Sequence, residues 1–213
     1  MTTRKWCTLF FILTFVLGHI SCSSNEKKVL PIYNPADFKP QFVDKSLREK
    51  TQHHTVSDFS LINQNGDVIT QEQYKDKIYV TDFFFTTCGT ICPVMTDNMT
   101  KIQEEFIDDD DIMFLSISVL PEADNVSVLK AYAKAKGVID SKWNVTTGDK
   151  KHIYNLARKS YFAVVERGDD IQDFIHSPKF ILIDKEKQIR GIYDGTNDDD
   201  IKRVIHDIYI LKN

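Results

Sequence analysis

Ile78-Tyr79-Val80-Thr81-Asp82-Phe83-Phe84-Phe85-Thr86-Thr87-Cys88-Gly89-Thr90-Ile91-Cys92-Pro93 is the stretch whose reading decides the fold. Residues 78–85 are apolar apart from Thr81 and Asp82, the pattern of a strand buried on both faces. Past Pro93, the residues Met95, Met99, Ile102 and Phe106 recur at helical spacing, and the same stripe extended backwards meets Cys92. Pro93 suits the first turn of that helix. A strand, a turn and a helix thus put Cys88 at the carboxyl end of a buried strand, where open α/β sheets place their sites.

Outward from this stretch the chain alternates. Upstream, Asp58–Ile62 and Asp67–Thr70 flank Asn65-Gly66, a hairpin signal. Downstream, residues 112–119 read as a second buried strand. Residues 124–136 read as a helix with Val128, Leu129 and Tyr132 inward, 149–159 as another helix, and 161–166 as a strand. Residues 180–184 and 188–193 read as strands joined by a charged turn. Ile201, Val204, Ile205 and Ile208 stripe a terminal helix capped near Thr196 or Asn197. This order implies an α/β fold with a mixed central sheet flanked by helices and an N-terminal hairpin.

The bulk composition sets limits. Apolar residues make up 42% of the chain and aromatics 11%, enough for a real core, so the chain is not a disordered one. Acidic side chains outnumber basic ones by 31 to 27, which lacks the basic footprint that nucleic-acid binding needs. Asp108–Asp111 and Asp198–Asp200 read as a solvated helix end and helix start, since no calcium-loop spacing surrounds them.

The N-terminus reads as a targeting segment. Arg4 and Lys5 precede an apolar core, residues 9–17, too short to span a bilayer comfortably. Leu17-Gly18-His19-Ile20-Ser21-Cys22 resembles a bacterial lipoprotein processing site with Cys22 lipidated, although His19 stands where an aliphatic residue is preferred. An uncleaved anchor and ordinary secretion are the alternatives. Each places the domain outside the cytoplasm, on the periplasmic face, in an oxidising compartment. The expected division is a signal peptide over 1–21, a tether and extended arm over 22–54, and a folded domain over 55–213.

Of four cysteines, Cys7 and Cys22 belong to this segment, so the body keeps only Cys88 and Cys92. Two thiolates suit Cu(I) or Zn(II), and they can also close into a disulfide. If the turn is near-helical, positions four apart share a face about 6 Å apart. That separation is compatible with a disulfide, and with convergence on one ion at about 2.3 Å per sulfur. The N–H groups and dipole of a helix start favour thiolate over thiol. A third donor would make a metal site more secure. His53 and His54 in the arm, His152 in an amphipathic helix, and His206 beside Asp207 read as structural. His176 opens His176-Ser177-Pro178 before a strand, a loop that faces the cysteine turn in a thioredoxin-like sheet. Two sulfurs and one imidazole suit Cu(I), Cu(II) or Zn(II).

Landmarks run in order through most of the chain. They are Asp58-Phe59-Ser60-Leu61 with Asn65-Gly66, residues 82–88 through Cys92-Pro93, Ser118-Val119 with Pro121-Glu122 and Asp124, and Trp143 with Thr147-Gly148. Ile153 to Ala157 with Tyr161, then His176-Ser177, Phe180 to Asp184 and Gly191 to Gly195 complete the set. With these the chain resembles the SCO/SenC family of thioredoxin-like copper proteins, which assist assembly of the binuclear copper centre of cytochrome c oxidase. The resemblance covers about residues 30–211. It implies copper, as Cu(I) or Cu(II), held by Cys88, Cys92 and His176. It also implies the oxidase subunit carrying that centre as partner, a copper donor or thiol reductant, and a membrane contact through the N-terminal anchor only. The reading is a copper chaperone more than an enzyme. The alternative is a thiol–disulfide oxidoreductase in which Cys88 attacks and Cys92 resolves.

Two positions depart from the family's pattern. Leu120 stands where it has Asp, and Gly89 where Pro is frequent. Pro178 falls where the thioredoxin fold commonly carries a cis-proline, so a cis Ser177–Pro178 bond is expected.

Overall fold

The central strand β3 (Ile78–Phe84) has every residue buried, and the rest of the molecule is arranged around it. The structure is a computed structural model that describes residues 29–37, 54–163 and 178–212. β3 pairs in parallel with β4 (Ile112–Ser118) and antiparallel with β6 (Lys179–Ile183). The hairpin β1 (Ser60–Asn63) and β2 (Val68–Thr70) joins through β5 (Trp143–Thr147), and β7 (Ile189–Asp194) closes the far edge. The described strands form one mixed sheet in the order β2-β1-β5-β4-β3-β6-β7. Among the described residues four α-helices accompany it: α1 (Ile91–Glu105), α2 (Val126–Ala135), α3 (Lys150–Asn155) and α4 (Asp198–Lys212).

Alternation along β3 divides the core. Phe84 stacks on Tyr132 of α2, while Phe83 meets Tyr161 edge-on from the other face. The stripe read from the sequence is the buried side of α1: Cys92, Met95, Met99 and Ile102 are all buried, with Phe106 at its cap. Thr96 of α1 shares a 2.6 Å hydrogen bond with Tyr132, which ties α1 to α2. The terminal helix is capped by Asn197, whose Oδ1 accepts the N–H groups of Asp199 and Asp200.

Two readings are corrected. First, residues 143–147 form a strand between β1 and β4, where none was expected. Its Trp-Asn-Val-Thr-Thr sequence looks too polar for a central strand, but Asn144 and Thr146 find partners sideways, and only the buried Thr147 hydroxyl lacks one among the described residues. Asn144 bonds Asn63 and Tyr74, and the Thr146 hydroxyl donates to the Ser116 carbonyl. Second, residues 161–163 are not a strand. α3 runs into a π-helical turn, Leu156–Ser160, and Phe162 then takes a left-handed backbone with φ of 52°. The packed rings of Tyr161 and Phe162, both fully buried, hold the chain there. The remainder of that expected strand, 164–166, lies outside the described residues. Asp108–Asp111 follows the end of α1 with Asp108 and Asp110 exposed, as a solvated helix end, and it also gathers lysines. Lys77 and Lys142 donate to its carbonyls, and Lys185 and Lys212 pair with Asp111 and Asp109.

Part of the N-terminal arm is docked. Leu30 is buried, Arg190 donates to the carbonyls of Leu30 and Pro31, and Tyr33 N–H donates to the Ile189 carbonyl. The targeting segment with Cys7 and Cys22, most of the arm including His53, and the Ser177–Pro178 bond lie outside the described residues. Among the described residues no helix is long and apolar enough to cross a membrane.

Candidate metal and dithiol site

Where β3 ends, the ladder to β4 makes one more bond, Val119 N–H to the Phe84 carbonyl. The chain then turns: Cys88 N–H donates to the Phe85 carbonyl at 3.2 Å. Thr90 stands at the N-cap position of α1 without a side-chain capping bond, and Cys92 sits in the first turn. The helix therefore starts beyond Cys88, so the pair does not ride one helix at positions i and i+4. Cys88 stands in front of the helix start, facing its free N–H groups. A Cβ built at Gly89 meets no atom within 4 Å, so nothing packed against this position requires glycine.

Both thiols are free and nearly covered, with Cys88 7% and Cys92 3% exposed. Their surroundings drive them apart. Burial alone would raise the Cys88 thiol. The Cys92 thiol and backbone hydrogen bonds from Thr90 and Cys92 outweigh it and hold Cys88 down to about 7. The Thr90 hydroxyl adds a contact at 3.8 Å. Burial pushes Cys92 up to about 12, helped by the charges of Cys88 and Asp82 and opposed by the Phe85 backbone. Cys88 thus passes its midpoint near neutral pH, and its thiolate form accepts a hydrogen bond from the Cys92 thiol. Such a pair can attack a disulfide through Cys88, close on Cys92, or hold a soft cation between two sulfurs.

Below the pair runs a polar thread that sequence reasoning did not assign to the site. Asp82 on β3 accepts a 2.5 Å bond from Ser116 on β4, and Ser116 accepts one from the Trp143 indole of β5. Burial pushes the Asp82 carboxyl up to about 7. Its signal was the lone acid in an otherwise apolar strand. Asp124, fully buried, holds Thr86 at the start of the cysteine turn.

The structure brings Cys88 and Cys92 together. His176 and Cys22 lie outside the described residues. The other described histidines are elsewhere. His54 bonds the Ser160 carbonyl and packs on Phe162, His152 accepts the Ser60 N–H, and His206 is exposed on α4. Among the described residues, no three His, Cys, Asp or Glu side chains converge as a metal site. Leu120 is half-buried at the end of β4, and its carbonyl accepts the N–H groups of Ala123 and Asp124.

Residues 48–211 match the SCO1/SenC family. The chain belongs to that family. Three solved structures share the fold. A SCO1/SenC family lipoprotein from Bacillus anthracis is 30% identical, with a TM-score of 0.68 over 78% of this chain and 99% of its own. BsSco, a member of the Sco family of cytochrome c oxidase assembly proteins in which a disulfide switch was identified, is 30% identical. Its TM-score is 0.66 over 75% of this chain and 94% of its own. Copper-bound ScoI from Arabidopsis thaliana is 26% identical, with a TM-score of 0.58 over 73% of this chain and 98% of its own.

Proposed function

We propose that this SCO1/SenC protein binds copper at Cys88, Cys92 and His176 and delivers it during assembly of the binuclear copper centre of cytochrome c oxidase. The observation that carries the reading is the dithiol: two free sulfurs within hydrogen-bond reach of each other, one favoured as thiolate. That donor set fits copper, because soft thiolates select Cu(I), and His176 would supply the nitrogen. Copper is cargo, and a site built on the turn before a helix, with Cys88 the less covered of the two sulfurs, suits release through Cys88. The partners are the oxidase subunit carrying that centre and a copper donor or thiol reductant.

A second reading, a thiol–disulfide oxidoreductase, is favoured by the split between the two thiols. Attack by Cys88 and resolution by Cys92 need that asymmetry. The two readings are compatible in one molecule, since a disulfide and a bound metal exclude each other on the same sulfurs. The relationship to a Bacillus anthracis lipoprotein supports a membrane-attached, extracytoplasmic domain. In this reading residues 1–21 are the signal peptide, Cys22 is lipidated, 22–54 tether the domain, and 55–213 form it.

The test is Cu(I) affinity and stoichiometry by chelator competition on reduced protein. Tight one-to-one binding is expected, lost in Cys88→Ser and weakened at least tenfold (about 1.4 kcal/mol) in His176→Ala. Weak binding, or binding indifferent to His176, rejects the three-ligand site and moves the assignment to a dithiol reductase.

A further inference from the structure

Asp124 is the most heavily bonded acid near the cysteine turn. It is fully buried, and among the described residues no basic side chain pairs with it. Its carboxylate takes three donors instead. Oδ2 accepts from Thr86 N–H at 3.1 Å and from the Ser118 hydroxyl at 2.5 Å, and Oδ1 accepts from the Thr86 hydroxyl at 2.5 Å. The loop after β4 is shaped for this. Ala123 and Asp124 N–H groups both close onto the Leu120 carbonyl, which folds the carboxylate back beneath β3.

Burying a carboxylate without a cation is costly unless its hydrogen bonds are complete. Here two of the three bonds go to one residue, Thr86. Thr86 is the second residue of the turn that Cys88 N–H closes on the Phe85 carbonyl. One peptide unit therefore links the two groups: its N–H is held by Asp124, and its carbonyl holds Cys88. Bonds at both ends of a peptide polarise and reinforce one another, and bonds to a charged acceptor are about twice as strong as neutral ones.

We infer that Asp124 is a positioning residue of the dithiol, acting through Thr86 to fix the turn that presents Cys88 to Cys92. The inference rests on the reading that these two cysteines are the working pair. The clamp is fully formed with both thiols free. A disulfide requires the sulfurs to close from hydrogen-bond reach to about 2.05 Å, and any part of that movement made by Cys88 pulls on the turn. The clamp therefore opposes closure and favours the dithiol, the form that can load metal.

The test measures the Cys88–Cys92 equilibrium of the purified protein against dithiothreitol, without metal. Each disulfide formed passes two electrons and two protons to one oxidised dithiothreitol, which is reduced. Asp124→Asn keeps the shape and removes the charge. Thr86→Val removes the hydroxyl, Thr86→Ser restores it, and Ser118→Ala breaks the carboxylate's other support without touching the turn. Asp124→Asn and Thr86→Val are expected to favour the disulfide at least tenfold, lowering the potential by about 30 mV. Thr86→Ser should match wild type, and Ser118→Ala should lower the melting temperature while leaving the potential within threefold of wild type. Potentials within threefold of wild type in both Asp124→Asn and Thr86→Val overturn the inference. So does a shift in Ser118→Ala as large as theirs, because that would make Asp124 a support of the fold only. If Thr86→Val does not fold, Asp124→Asn alone decides. Failure of wild type to bind Cu(I) would sink the chaperone reading and leave this test standing, since the potential is read without copper.

Discussion

Replacing Asp82 with Asn should make the protein more stable at neutral pH, and the size of the gain follows from burial. The Asp82 carboxyl is shut inside the sheet, and burial lifts it from 3.8 to about 7 against the bond from Ser116. The folded value is the higher one. Between about pH 4 and pH 7 the folded chain therefore keeps a proton that the unfolded chain has released. Stability from this group is complete below pH 4, falls as pH rises to 7, and is level above it. A difference of about three pH units, at about 1.4 kcal/mol each, makes the loss about 4 kcal/mol. Asn keeps an oxygen to accept from Ser116 but has no proton to lose. The assay is urea unfolding of reduced wild type and Asp82→Asn from pH 4 to pH 8. The variant's stability relative to wild type should climb by about 1.4 kcal/mol per pH unit up to pH 7 and then flatten. A relative stability that changes by less than about 1 kcal/mol over the whole range would refute the buried, proton-holding carboxyl. The same variant should also lower the Cys92 thiol, which the Asp82 charge helps to raise.

Other perturbations test separate parts of the structure. Iodoacetamide should label Cys88 with a midpoint near pH 7 and leave Cys92 untouched well above that, as read by mass spectrometry; equal labelling would contradict the asymmetry. Gly191→Ala places a Cβ 2.0 Å from the Tyr193 hydroxyl, which donates to Asp207, so urea unfolding should show a loss of about 1–3 kcal/mol. An unchanged midpoint would mean that Tyr193 moves aside freely. Arg190→Ala frees the arm at Leu30 and Pro31 and removes the cation paired with the buried Asp184 carboxylate, which keeps the Glu186 and Gln188 N–H groups. A loss of at least about 2 kcal/mol and faster proteolysis of the arm are expected, and a wild-type cleavage pattern would count against docking.

Legibility from sequence followed the periodicities. Residues 78–85 and the stripe Met95, Met99, Ile102 and Phe106 announced β3 and α1 because burial on one side of a helix, or both sides of a strand, leaves a repeat. The same reading located the dithiol, since a strand–turn–helix fixes where the turn must lie. It failed where side chains made the arrangement work instead of apolar spacing. β5 is a central strand with Asn144 and Thr146 in it, stable because Asn63 and Ser116 from neighbouring strands and Tyr74 from the turn after β2 meet their polar groups. Residues 161–163 carry apolar rings that suit a strand, but Phe162 is turned into a left-handed backbone that no local pattern encodes. Asp82 and Asp124 were visible as letters, yet their roles depend on Ser116, Thr86 and Ser118, which only the folded sheet brings alongside.

The two cysteines have the same chemistry and opposite environments, and this difference explains more than their spacing does. Cys88 stands before a helix start and collects hydrogen bonds; Cys92 is inside the first turn, above a buried acid. Two adjacent thiolates without a cation would repel each other in a covered site, so the pair gives up its protons in two steps. The environments decide which goes first: Cys88 near pH 7, with Cys92 keeping its proton well above that. Binding a soft cation or closing a disulfide must then expel it from Cys92, whose surroundings, including Asp82, hold it firmly. Metal loading and oxidation therefore share one step, deprotonation of Cys92. Since Asp82 helps to set how tightly that proton is held, the buried acid sets part of the threshold for both.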